Sequence, residues 1–177
     1  GGATAPAAAP APAPAQPWKF TVELGASGKS GNTDSSDLHA AITATQETDV
    51  RRVKGVAAYD YGKADGEKNK DRIDAKITHD WLLKDSPWFV FASLRGEWDD
   101  FQEWDSRQTA PGGIGRTLID ESDFKLRARA GLQALKERGS EDDDWRPEGS
   151  LGVEGEWTMN DRMKLEATTT YFPDFDD

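Results

Sequence analysis

Two histidines, a glycine cluster and three acidic runs are the residues of this chain whose types and spacing could do chemistry. A hydrolase needs a nucleophile, a base and a group that orients the base, all within hydrogen-bond reach. Only His39 and His79 could supply an imidazole. The alternation of residues around them puts them on opposite faces of their segments, so they read as structural or exposed rather than as partners in a relay. The stretch GGIGRT, Gly112 to Thr117, invites comparison with a phosphate cradle. A dinucleotide fingerprint needs GxGxxG between a strand and a helix, and a Walker loop needs a lysine where Arg116 stands. Beside Pro111 the cluster reads instead as a bulge or sharp bend in a strand, where missing side chains permit close packing. The acidic runs are Glu141, Asp142, Asp143 and Asp144; Asp174, Asp176 and Asp177; and Asp99, Asp100, Glu103 and Asp105. Hard oxygen ligands suit Ca²⁺, but none of these runs has the spacing of an EF-hand loop. They read as solvated loop charge, with weak divalent bridging to lipopolysaccharide phosphates as the alternative. No catalytic, cofactor-binding or metal-ligating residue is assigned, and no cofactor is expected.

The elements that hold these residues are constrained by composition. A length of 177 residues suits one domain, and 36% hydrophobic with 31% charged residues is ordinary for a soluble globule. The mean hydropathy of -0.78 agrees. No run of about 18 apolar residues exists, which excludes a membrane-spanning helix. A transmembrane β-barrel stays open, because only alternate residues of each strand need be apolar. The net charge of -11 argues against a nucleic-acid partner. The absence of cysteine excludes a disulfide framework and a thiolate metal site. Residues 1–17, GGATAPAAAPAPAPAQP, form an Ala/Pro-rich disordered linker that runs extended, and residues 18–177 form the folded domain. Such a tract fits both an exported chain whose signal was removed and one that never carried a signal.

From Trp18 onward the period is two. Phe20, Val22, Leu24 and Ala26 oppose Lys19, Thr21, Glu23 and Ser27, and Leu38, Ala40, Ile42 and Ala44 oppose Asp37, His39, Thr43 and Thr45. The third and fourth strands carry Val53, Ala57, Tyr59 and Tyr61, then Ile73, Ala75 and Ile77, against charged residues. A fifth has Trp88, Val90, Ala92, Leu94 and Trp98 opposite Arg95 and Glu97; a sixth, near Trp104 to Leu118, is the least clear. The seventh is the cleanest, with Leu126, Ala128, Ala130, Leu132 and Ala134 opposite Lys125, Arg127, Arg129 and Gln133. An eighth, Leu151 to Trp157, and a ninth, Met163 to Tyr171, complete an antiparallel up-and-down pattern. Longer polar loops are expected after strands one, three (KADGEKNKD), five and seven, and tighter turns after the others, the asymmetry of outer-membrane barrels.

The tryptophans stand at strand ends. Trp18, Trp81, Trp88 and Trp157 fall beside the short turns, and Trp98, Trp104 and Trp145 beside the long loops. Two aromatic belts are what membrane interfaces select, since an indole ring favours acyl chain and its N–H favours water. The apolar face is rich in Ala and Gly and would make a thin core, so it is expected to point outward. The charged face then lines a polar lumen, in which Lys125, Arg127 and Arg129 are expected to face Glu154 and Glu156. A register pairing Arg127 with Glu154 also puts Lys125 beside Glu156.

With the strands laid out, GASGKSGNTDSSDL, YDYGKADGEKNKDR and above all DDFQEWDSRQTAPGGIGRTL make the chain resemble the DUF481 family of YdiY-like, salt-induced outer-membrane proteins. The resemblance covers Trp18 to about Phe175 and implies an all-β, antiparallel up-and-down transmembrane β-barrel in the Gram-negative outer membrane. It implies no catalytic residues. Nine strands is an odd number for a single-chain bacterial barrel, so closing strands are expected to be missing. The expected function is an outer-membrane barrel with a structural or envelope-stress role, in contact with outer-membrane lipid and lipopolysaccharide. The alternatives are a small pore and a soluble or periplasmic lipid-binding barrel.

Overall fold

In the computed structural model, residues 17–30, 34–140, 144–160 and 163–173 are described, Lys164 by its backbone alone. They form nine strands: β1 Lys19–Lys29, β2 Ser35–Glu47, β3 Arg51–Ala64, β4 Glu67–Leu82, β5 Trp88–Asp99, β6 Ser106–Asp120, β7 Phe124–Arg138, β8 Arg146–Asn160 and β9 Met163–Tyr171. All belong to one sheet in sequence order, each antiparallel to the next. No helix occurs among the described residues.

The sheet is curled into an open half-barrel, and two ion pairs measure the curl. Lys54 on β3 and Glu166 on β9 are six strand steps apart, roughly 29 Å in a flat sheet at about 4.8 Å per step. Their side chains meet at 3.2 Å. Arg129 on β7 reaches Asp80 on β4 at 2.6 Å across the two intervening strands. The face bearing these charges is therefore concave. The alternate residues, which include Leu24 at 79% exposure and Leu132 at 61%, cover the convex side.

Burial is the reverse of a soluble barrel's. Among the described hydrophobic residues only Phe89, Phe91, Trp104 and Leu135 are buried, whereas Asp80, Ser93, Glu97, Arg127 and Gln133 are buried polar groups. A water-soluble sheet of this size needs an apolar core to offset its chain entropy. Here the apolar area lies on the outside.

Two expectations need correction. The segment KADGEKNKD is not a long loop: β3 runs to Ala64 and β4 starts at Glu67, joined through Asp65 and Gly66 alone. Both have positive φ, 52° and 83°, the conformation that a two-residue type I′ hairpin demands and Asp-Gly supplies. The glycine cluster is not a bulge. The β6–β7 register runs unbroken through Gly112 to Gly115 and shifts between Thr117 and Ile119. The glycines serve the other half of the expectation, close packing. Gly113 pairs with Gly131, and a Cβ on Gly113 would stand 2.2 Å from the Ala130 carbonyl oxygen.

Candidate functional site: the charged concave face

The floor of the concavity is built around Phe89. Its neighbour across the ladder is Gly115, where a Cβ would stand 2.2 Å from the ring, so the glycine makes the seat. The ring is 1% exposed. The Arg52 and Arg129 guanidinium groups lie 4.7 Å and 5.1 Å from its centroid, and Arg129 also lies 5.2 Å from that of Phe91. A desolvated contact of this kind is worth about 2 kcal/mol.

Asp80, 3% exposed, holds the same two arginines. Arg129 donates from Nη1 and Nη2 at 2.6 Å and 3.0 Å, and Arg52 donates from Nε at 3.2 Å. One carboxylate thus ties β3, β4 and β7 together. Removing it would leave the half-buried Arg52 guanidinium without its ion-pair partner and Arg129 with Glu154 alone.

The β7–β8 register places Arg127 opposite Glu154 and Lys125 opposite Glu156. Arg127 Nη1 lies 3.3 Å from Glu154 Oε1, and Arg129 Nη2 lies 3.3 Å from Glu154 Oε2. Arg129 therefore divides itself between Glu154 on the neighbouring strand and Asp80, the closer contact, three strands away. Further along, Arg95 joins Asp74 at 2.7 Å and Glu97 at 3.1 Å, and Gln133 donates to Glu148 at 2.6 Å. The interior encloses a cavity of about 1230 Å³ lined by eight lysines and arginines and seven carboxylates. A chain of net charge -11 thus has a lumen-like face that is nearly balanced.

Of the seven tryptophans, Trp18, Trp81, Trp88, Trp98, Trp145 and Trp157 are exposed. Trp104 stands apart from them. It is 8% exposed, in the turn between β5 and β6, with the Arg107 guanidinium 4.8 Å from its ring. Arg107 is paired with Glu137, which also accepts from Arg146 at 2.8 Å, so Trp104 anchors a loop.

His39 and His79 lie on opposite faces. His39 Nδ1 is 2.7 Å from Asp60 Oδ1, and the His79 ring stacks on Trp81 at 4.1 Å on the convex side. Asp100 is engaged by Lys68 at 2.7 Å. Among the described residues no three His, Asp or Glu side chains converge on a metal-sized site. Glu141, Asp142 and Asp143, and Asp174, Asp176 and Asp177, lie outside the described residues.

The sequence pattern missed Phe89, Phe91, Arg52 and Asp80. Residues 88–92, WFVFA, are apolar on both faces, and that break in the alternation was the available signal for a buried ring. The chain matches no curated protein and no solved structure. A family model described as a protein of unknown function, DUF481, matches residues 22–177, and by that span the chain belongs to the DUF481 family.

Proposed function

We propose that this chain is an outer-membrane β-barrel protein with a structural or envelope-stress role and no evident catalytic chemistry. The observation that carries the reading is the inverted burial: exposed Leu, Ile, Val and Trp on the convex face, and ion pairs on the concave face. Lipid covers the first and a confined lumen the second. The spacing of aromatics supports it. Trp88 and Trp98 lie ten residues apart on one face of β5, about 34 Å along the strand at roughly 3.4 Å per residue. A tilt of about 45° projects this to about 24 Å, the height of a membrane barrel's apolar band. Trp18, Trp81 and Trp157 share the end of Trp88, and Trp145 that of Trp98, so outer-membrane lipid and lipopolysaccharide are the proposed partners.

A small pore is the second reading, and the cavity of about 1230 Å³ favours it. A soluble lipid-binding barrel would place its apolar residues on the concave face, which here carries charge.

The test is reconstitution of the full chain into vesicles whose acyl chains are brominated at defined depths. Quenching of tryptophan fluorescence by shallow bromines, strong in both leaflets, is the expected result. A protein that stays monomeric in buffer without detergent, and is not quenched, overturns the membrane reading. Planar-bilayer current separates the remaining two: low, weakly selective conductance fits the structural role, and high conductance the pore.

A further inference from the structure

The cationic groups on the floor of the cavity outnumber the carboxylates that touch them. Arg52, Lys76, Arg127 and Arg129 all line it. The carboxylates in ion-pair contact with the three arginines are Asp80 and Glu154. Lys76 makes no hydrogen bond or ion pair among the described residues; the charges it feels are Arg95 and Arg129 on one side of the balance, and Glu154 and Asp74 on the other. Asp74 is already held by Arg95 at 2.7 Å.

Donors are left over as well as charge. Arg127 is 8% exposed, and its Nε has no hydrogen-bond partner. Arg52 Nη2 is also buried without one; it lies 3.2 Å from Asp80 Oδ2 but is not aligned to donate to it. Arg52 and Arg127 are close enough for their like charges to repel. N–H groups without acceptors and cations in excess of the carboxylates they share are each costly in a confined interior, and one anion relieves both. The forked N–H groups of arginine match the oxygens of phosphate and carboxylate in direction, which a spherical halide does not exploit.

We propose that the concave interior binds a small oxyanion, phosphate or carboxylate, on the floor that Arg52, Lys76 and Arg127 line. The site does not depend on whether the barrel conducts. It makes the interior a ligand site in addition to a structural filling, and Glu154 is its internal competitor, the carboxylate that an incoming anion meets.

The experiment is calorimetric titration of the detergent-solubilised full chain with inorganic phosphate, acetate and glycerol phosphate, each against choline chloride at matched ionic strength. One saturable site for phosphate or acetate is expected. Lys76→Gln should weaken it at least about tenfold, as the loss of one close charge in a partly buried site implies, without lowering the unfolding midpoint measured in chloride. Glu154→Gln should tighten it. Lys84→Gln, in the turn after β4, should leave it unchanged. Competition by glycerol phosphate assigns the site to phosphate esters such as headgroups, and failure to compete assigns it to the free ion; both support an oxyanion site. Absence of saturable heat, or equal weakening by Lys76→Gln and Lys84→Gln, overturns the proposal, because the surplus charge would then act only as a diffuse field. Arg127→Gln is the stricter variant, and Lys76→Gln keeps the test decisive if that chain does not fold.

Discussion

Phe89 and Gly115 are a matched pair, and their dependence on one another is testable. A methyl group on residue 115 would overlap the Phe89 ring, with 2.2 Å between the two carbons. The ring cannot retreat freely, because Arg52 and Arg129 lie against it. Gly115→Ala should therefore destabilise the fold by about 1–3 kcal/mol, the usual cost of overpacking. Phe89→Leu combined with Gly115→Ala should recover part of it; equilibrium unfolding in vesicles measures both. Asp80→Ala is the harsher case, since it takes from two half-buried arginines the buried carboxylate they share, and about 3–5 kcal/mol is expected. Neither residue was legible in the sequence. Alternation marks a position as polar or apolar, but a phenylalanine on the charged face looks like a phase error until the glycine beneath it is known. Asp80 stands next to Trp81 near a strand end, where alternation alone does not distinguish a buried carboxylate from a solvated one.

At the scale of elements, the hairpin of β7 and β8 was legible because its basic and acidic residues fall on one face and complement each other when Arg127 is set opposite Glu154. That register pairs Arg127 with Glu154, but Arg129 also contacts Glu154. Glu154→Lys should therefore be strongly destabilising, since it sets a third cation beside two. Adding Arg127→Glu should restore only part of the loss, because Arg129 keeps Asp80 but loses Glu154 as its second partner. Full recovery in a double-mutant cycle would mean that Arg129 does not use Glu154. The hairpin of β3 and β4 was misread as loop, since polar residues beyond the apolar band carry no hydrophobic alternation to mark them as strand. Its end is clasped to the turn after β5. Lys68 reaches Asp71 at 2.8 Å and Asp100 at 2.7 Å, beyond the level of Trp98, which pairs with Ile73. Hydrogen bonds from Lys68 to Asp100 and Asp71 hold the ammonium above its ordinary range, and Lys68 holds the Asp71 carboxyl below its own. The raised cation contributes fully below the ordinary lysine value and is lost as pH rises through its raised one. The lowered acid contributes above the ordinary carboxylate value and is lost as pH falls through its lowered one. Between about pH 5 and pH 9 the clasp should thus be constant, opening first on acidification below about pH 4. Proteolysis or hydrogen exchange at Asp65 and Gly66 should follow that profile, and Lys68→Met should open the end at neutral pH.

For the whole molecule, contact of the convex face with lipid is measured most sharply on β7. Its convex residues run Phe124, Leu126, Ala128, Ala130, Leu132 and Ala134 before the first charges, Lys136 and Arg138. From Phe124 to Ala134 is ten residues, which projects to roughly 24 Å at a 45° tilt, the same height that the β5 tryptophans mark. Two independent strands thus define one band. The sequence made this visible because lipid tolerates no charge on alternate positions, whereas it left the curvature unseen: the curl is marked by ion pairs between distant strands, such as Lys54 with Glu166, which alternation within one strand does not reveal. If the band is in lipid, the penalty for a charge must depend on depth. Ala130→Arg, at mid-strand, should cost about 2–4 kcal/mol in refolding into vesicles, and Ala134→Arg, near the rim, about 0–1 kcal/mol. On a water-exposed sheet both substitutions replace a small surface residue and should stay within about 0.5 kcal/mol. A depth-independent result at the second level would therefore remove the membrane reading, and the contrast between the two positions carries the test even if the absolute values shift with lipid composition. Wild-type Lys136 and Arg138 provide the internal reference, since charge is already tolerated where the band ends.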